Sequence, residues 1–329
     1  MNICCKNFDG NQFVASAEEK GAVAAMIRRE ADHNAVLSDL PLLRVKDTRL
    51  GLGQLAAYWR ARFTMPVVGV TGSNGKTTVK EMIACILRQA TLSDTQNVDS
   101  ELTQVLATQG NLNNDIGVPQ MLLRLRKQHQ YAVIEMGMNH VGEISYLTQL
   151  TKPDVGVITN AGAAHIEGLG SVETVAQAKG EIFEGLDQQG TAVINADDEY
   201  APLWRQLAGN RRIVDFGFNS AAQIRAECDV SASVSKMNLI LPKSVVQVNL
   251  HAPGVHNVRN ALAAATAAVA LGINKAEIVA GLEAFTGLCR ASMNFSCVVY
   301  PLIDIYFNSD GVSVESSSVP GTLSFVMTI

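Results

Sequence analysis

The run Gly69-Val70-Thr71-Gly72-Ser73-Asn74-Gly75-Lys76-Thr77-Thr78 decides how this chain is read. It follows an apolar run, Pro66 to Val70. It precedes a segment from about Thr77 to Gln89 in which Val79, Met82, Ile83 and Ile86 recur at helical spacing. A strand, a glycine-rich turn and a helix are therefore expected in that order. Glycines let successive backbone N–H groups converge on phosphate oxygens, and the helix start adds its positive dipole end. Lys76 would neutralise the terminal phosphates of a nucleoside triphosphate, and the Thr77 hydroxyl would ligate Mg²⁺. The common spacing has four residues between the first glycine and Gly-Lys. Here Val70 holds that first position and the glycine stands at 69, so the loop is a variant.

Working outward, Tyr131 to Glu135, Asp154 to Thr159, Thr191 to Ile194 and Arg212 to Phe216 are further compact β-rich runs, separated by helical patterns such as Val172 to Leu186. This alternation predicts an α/β fold: a mostly parallel central sheet with helices on both faces and ligands at the carboxyl ends of its strands. Between about Arg225 and Val248 shorter alternating runs predict an antiparallel excursion at the sheet edge, followed by a helix from about Asn257 to Leu271. Thr91 to Gln109 reads as a polar surface loop, with or without a short helix. Residues 1 to 62 read as a small α/β piece with a helix over Ala17 to Arg29 and a short strand at Leu43 to Val45.

The chain has 329 residues, about two domains' worth. Hydrophobic residues make up 47% and charged residues 17%, an ordinary globular composition. A net charge of -5 argues against a nucleic-acid partner. The most apolar stretch, Ala261 to Leu271, is too short to cross a bilayer, and the first residues carry no export signal. Six cysteines without a CxxC pair read as free thiols. A monomeric cytoplasmic protein acting on small molecules is the expectation.

Other residues stand where chemistry is done. Glu135 ends an apolar strand at the ligand-binding edge. His165 lies in a small-residue turn beyond the strand that ends near Asn160. Lys179 falls in a helical segment and by itself reads as a solvated lysine. Asn257 and Asn260 open the Ala-rich helix, where one of them could cap it. Asn111, Asn113 and Asn114 lie in an Asn/Gly turn.

The loop Gly-x-Thr-Gly-x-Asn-Gly-Lys-Thr-Thr resembles the phosphate loop of the Mur ligase superfamily, the ATP-dependent amide-forming enzymes of peptidoglycan synthesis, together with the folylpolyglutamate synthases. Three further runs, Gly110 to Pro119, Glu135 to His140 and Ala164 to Ser171, resemble the branch that joins D-alanyl-D-alanine to UDP-N-acetylmuramoyl-tripeptide. The resemblance spans roughly Phe8 to Gly287. It implies that Gly72, Ser73, Asn74, Gly75, Lys76, Thr77 and Thr78 hold ATP, and that Asn257 and Asn260 contact its base. It implies one Mg²⁺ on Thr77 and Glu135 and a second on His165 and a carbamylated Lys179, with Lys76, Lys179 and His165 in the catalytic set. Asn111, Asn113 and Asn114 fall to the UDP-sugar substrate.

The resemblance also sets the expected organisation. Residues 1–62 would form a partial N-terminal substrate domain and 63–287 the central ATP-binding domain. Residues 288–329 would be an atypical tail, out of frame or diverged, with the family's C-terminal dinucleotide-fold domain absent. That tail carries four charged residues, Arg290, Asp304, Asp310 and Glu315, and would pack as strands or aggregate. On this reading turnover by the chain is in doubt. A non-catalytic ATP-binding relic, a folylpolyglutamate synthase-like ligase and a generic P-loop NTPase are the alternatives.

Overall fold

A computed structural model describes residues 13–30, 39–94, 104–163, 169–219, 221–230 and 235–286, together with the strands at 304–308, 311–315 and 324–327. The chain divides into two units, one formed by Met1–Leu55 and Ala291–Ile329, the other by Ala56–Arg290.

In the first unit, α1 (Val14–Glu19) is followed by β1 (Ala22–Arg28) and β2 (Leu42–Val45), and α2 (Thr48–Arg60) begins there. The helix expected over Ala17 to Arg29 is thus a short helix and then a strand. Gly21, at φ +89°, ends the helix in a left-handed turn. Beyond it the Ala-rich run is buried along most of its length and pairs in parallel with β2 on one side and β14 (Ser324–Met327) on the other. Ladder formation and burial on both faces override the helical preference of alanine here. Val14, Ala25 and Ile27 form the small core of this unit. In α2, Gly51 lets the helix backbone lie directly on Met26 and Val45. The tail contributes β14 and a two-stranded antiparallel ladder of β12 (Asp304–Asn308) and β13 (Gly311–Glu315).

The second unit is built on a nine-stranded sheet. Its members are β3 (Val67–Thr71), β4 (Val105–Ala107), β5 (Tyr131–Glu135), β6 (Val155–Ile158), β7 (Thr191–Asn195), β8 (Arg212–Gly217), β9 (Ile224–Val230), β10 (Ser235–Leu241) and β11 (Ser244–Leu250). Their order is β11-β10-β9-β8-β7-β6-β3-β5-β4. Pairing is parallel from β4 through to β9 and antiparallel among β9, β10 and β11, as the alternation of the sequence predicts. Within the polar stretch expected to be a surface loop, Thr91 to Gln109, the first four residues instead lengthen α3 (Lys76–Asp94) and residues 105–107 form the edge strand β4, while 95–103 lie outside the described residues. Three residues are too few to show a period, and the β4 pairing with β5 is long-range.

The remaining helices are α4 (Gly117–Leu122), α5 (Glu143–Thr151), α6 (Val172–Gly180), α7 (Ala201–Ala208), α8 (Val255–Ala270) and α9 (Lys275–Ala284), with a 3-10 turn at Glu181–Gly185. One face of the sheet buries Val68, Val70, Val157 and Val193 against Val79, Ile83 and Ile86 of α3 and the alanine stripe of α8. On the other face the paired glycines Gly69 and Gly156 leave room for Ile182 and Phe183. This two-sided cover is the doubly wound arrangement expected from the sequence. Among the described residues, no helix is long and apolar enough to cross a membrane.

Candidate active site

The phosphate loop joins β3, at the centre of the sheet, to α3. Gly72 has φ +151° and Gly75 has φ +81°. A side chain at Gly72 would run into the Thr159 hydroxyl, and one at Gly75 would run into the Asn260 amide. Glycine is therefore required at both positions by close approach as well as by dihedral.

The loop is held by the end of the neighbouring strand β6. Ser73 N donates to Asn160 O at 3.0 Å and Asn74 N to Asn160 Oδ1 at 2.9 Å. The Thr159 hydroxyl and the Asn160 amide both donate to Asn74 O, at 2.6 and 3.0 Å. Gly162 N donates to Ser73 Oγ at 2.9 Å. Lys76 folds back over the turn, donating to Gly72 O at 2.7 Å and Ser73 O at 3.4 Å. Burial lowers its pKa, and the Glu135 carboxylate opposes that shift. Thr77 and Thr78 follow in the first turn of α3, half-buried.

Glu135 ends β5, which pairs with β3, and is 2% exposed. Its Oε1 accepts from Asn113 Nδ2 at 2.8 Å, and its backbone N–H donates to Thr108 Oγ1 at 2.9 Å. Its Oε2 is enclosed and has no hydrogen-bond partner. A buried carboxylate oxygen left in that state is expected to meet a cation or water. Among the described residues no three His, Cys, Asp or Glu side chains cluster. One carboxylate plus a hydroxyl suits Mg²⁺, which keeps waters and takes substrate phosphate oxygens.

Lys179 is the residue that sequence periodicity misreads most. It lies in the last turn of α6, is 2% exposed, and its pKa is lowered to about 7, first by burial and then by the Lys76 charge. The solvated-lysine reading is corrected: this amine is buried beside another cation. His165 falls outside the described residues.

The three asparagines of the Asn/Gly turn separate. Asn113 reaches Glu135 and receives Gly137 N on its carbonyl at 2.7 Å. Asn114 Oδ1 accepts from Gly117 N at 2.8 Å and Ile116 N at 3.2 Å, which anchors the start of α4. Asn111 is exposed. In α8, Asn257 Nδ2 donates back to Pro253 O at 2.9 Å, and Asn260 Nδ2 lies 3.4 Å from Asn257 Oδ1. The helix begins after Gly254 with no side-chain cap, so capping accounts for neither residue.

Both line a cavity of about 740 Å³ along the carboxyl ends of the strands, with Asn74, Gly75 and Thr78 at the loop side. Sequence reading passed over its other wall, Asn195, Asp197 and Asp198. Asn195 ends the buried strand β7 and Asp197 and Asp198 follow it, the position where a parallel sheet places ligand contacts. It also passed over Lys80, 1% exposed, which ties α3 to Thr108 O at 2.7 Å.

Comparison with known proteins bears on this geometry. The family described as the Mur ligase middle domain matches residues 70–268. The chain belongs to the Mur ligase family. Among curated Mur ligases it is similar to the UDP-N-acetylmuramoyl-tripeptide--D-alanyl-D-alanine ligase of Escherichia coli, 43% identical over 84% of this chain and 58% of that protein. The ligase of the same name from Haemophilus influenzae is 42% identical over the same shares. The chain thus spans a little over half the length of these Mur ligases. A crystal structure of MurF from Acinetobacter baumannii superposes with TM-score 0.77 at 35% identity, covering 94% of this chain and 62% of that one. MurF ligase from Thermotoga maritima, solved in complex with ADP, superposes with TM-score 0.70 at 26% identity over 85% of this chain and 61% of that one.

Proposed function

We propose that this chain carries the ATP-binding and phosphoryl-transfer machinery of a ligase that joins D-alanyl-D-alanine to UDP-N-acetylmuramoyl-tripeptide in peptidoglycan precursor synthesis. The observation that carries the reading is Glu135, with one carboxylate oxygen pinned by Asn113 and the other enclosed and unpartnered beside the phosphate loop. The E. coli and H. influenzae relatives, by name, perform this ligation, and the T. maritima relative was solved with ADP.

In this reading a terminal carboxylate oxygen of the tripeptide attacks the γ-phosphorus of ATP, ADP leaves, and an acyl phosphate forms. The amine of D-alanyl-D-alanine then attacks the acyl carbon, phosphate leaves, and the nitrogen loses a proton. Lys76 and the N-terminus of α3 bind and orient the phosphates, while the Ser73 and Asn74 N–H groups hold the loop in shape through Asn160, so catalysis is mainly positioning and charge stabilisation. Thr77 and Glu135 would hold Mg²⁺, which neutralises charge on the phosphates when bound. Asn257 and Asn260 face the base, and the Asn111 to Asn114 turn faces the UDP-sugar substrate.

Lys179, with His165, belongs to a second Mg²⁺ site. As a cation Lys179 is disfavoured twice, by burial and by Lys76. Its neutral amine can add to CO₂, forming an N–C bond and releasing a proton. The resulting carbamate is an anion that Lys76 attracts. The chain would act as a cytoplasmic monomer, with residues 1–62 toward the UDP substrate and 63–287 around ATP.

The test incubates the chain with ATP, Mg²⁺, UDP-N-acetylmuramoyl-tripeptide and D-alanyl-D-alanine and measures phosphate release, alongside Glu135→Gln. Substrate-dependent release by the chain, and loss of Mg²⁺-dependent ATP binding in the variant, are expected. ATP binding without any substrate-dependent release would select the non-catalytic reading. Unchanged Mg²⁺ dependence in Glu135→Gln would remove its basis.

A further inference from the structure

The cavity follows the carboxyl ends of β3, β6 and β7, successive neighbours in the sheet with β8 next in line, and is walled on another side by Asn257, Arg259 and Asn260 of α8. At about 4.8 Å per step, roughly 14 Å separates the phosphate loop on β3 from the end of β8. That span suits a nucleotide lying across the strand ends, with its phosphates at the loop and its base toward β8.

At the β8 end a cation and an aromatic ring have been assembled. The Arg259 guanidinium carbon lies 5.2 Å from the Phe218 ring centroid, and Arg259 lines the cavity. Phe218 is fixed from behind. Asp197 accepts its backbone N–H at 2.8 Å and that of Asn219 at 3.0 Å. A side chain at Gly217 would collide with the same carboxylate, so the turn after β8 closes around Asp197. Arg259 Nε is enclosed and has no hydrogen-bond partner. An arginine in a protein interior normally satisfies its donors with carboxylates or carbonyls. Here the guanidinium carbon lies over the ring while that donor stays unpaired.

We propose that Arg259, seated on Phe218 and held through Asp197, is a base-recognition group of this cavity beside Asn257 and Asn260. The guanidinium presents its plane for stacking and its N–H groups for the acceptor-rich edge of a purine. A planar cation serves both roles, and a lysine ammonium serves neither as well. Arg259 and Phe218 would touch or directly support the base, and Asp197 is a positioning residue. The inference rests on the ATP reading above and adds to Asn257 and Asn260 a side chain that favours a nucleotide over a bare polyphosphate.

Calorimetric titration of the whole chain with Mg²⁺-ATP and, separately, with Mg²⁺-tripolyphosphate tests it. Arg259→Ala and Phe218→Leu should each lose about tenfold in ATP affinity, the scale of a desolvated cation–π or stacking contact. Tripolyphosphate affinity should stay within twofold, which also shows that the loop is still folded. Arg259→Lys should fall between wild type and Arg259→Ala. ATP affinity unchanged in Arg259→Ala overturns the proposal and leaves the ATP site intact. Equal losses for ATP and tripolyphosphate overturn it by assigning Arg259 to the phosphates. A wild-type chain that binds tripolyphosphate but shows no preference for ATP overturns it as well. One that binds neither ligand overturns both it and the ATP reading.

Discussion

Glu181 offers a stability experiment whose size follows from the hydrogen bonds. It sits two residues beyond Lys179, and its carboxylate accepts from Gly142 N at 2.9 and 3.1 Å and from Ser145 N at 3.0 Å. These are N–H groups at the start of α5, which have no partner within the helix. Glu181→Ala strands both donors, at about 1 kcal/mol or more each. It also removes a negative charge from a helix N-terminus, worth roughly 0.3–1 kcal/mol. Together the loss is about 3 kcal/mol. Glu181→Gln keeps one acceptor oxygen and should cost about 1 kcal/mol, because burial already raises the Glu181 pKa and disfavours the charged form. With a urea slope of about 3 kcal/mol per molar, the midpoint should drop by about 1 M for alanine and about 0.3 M for glutamine. The chain's two tryptophans report on this unit: Trp59 is 3% exposed, and Trp204 is fully buried and donates to Ala176 O in α6. Equal midpoints for the two variants would refute the argument, because the difference between them is the retained oxygen.

Lys179 should make stability depend on pH. Its folded pKa of about 7 lies below its unfolded value, so the unfolded chain binds the extra proton between about pH 7 and 10, and stability rises with pH across that window. In CO₂-free buffer the urea midpoint of the wild type should climb relative to Lys179→Met from pH 7 to 9, and a constant difference would count against a buried amine. Gly75→Ala should weaken Mg²⁺-ATP binding at least tenfold by calorimetry, since φ +81° and the Asn260 amide both oppose a side chain. Lys152, the one non-glycine residue at positive φ among those described, has φ 45° just after α5. Lys152→Gly should raise the thermal midpoint by relieving about 1 kcal/mol of backbone strain, and a lower midpoint would contradict that account.

What could be read in the sequence was what sterics and short-range order dictate. The β3-loop-α3 unit was legible because Gly72 and Gly75 are positions only glycine fills. Tyr131 to Glu135 was legible to the residue because a buried parallel strand is one unbroken apolar run. Local pattern failed where a distant partner decides the outcome. The Ala22 to Arg28 strand looks helical until β2 and β14 pair with it. Lys179 looks solvated until α6 packs down beside Lys76, and β4 is too short to show a period. The wall formed by Asn195, Asp197 and Asp198 carries no motif of its own and becomes visible only once the strand order brings β7 beside β6.

The phosphate loop takes its bracing from the next strand over and not from itself. Ser73 and Asn74 already spend their amides on Asn160, so those two N–H groups should exchange slowly with deuterated solvent before any nucleotide is present. The loop's order is then established during folding of the sheet, and nucleotide arrives at a shaped cradle. Loosening β6 by a substitution at Thr159 would turn that cradle into one that must be ordered by its ligand. The change would appear first as fast exchange at Ser73 and Asn74 and as a larger entropic penalty on binding.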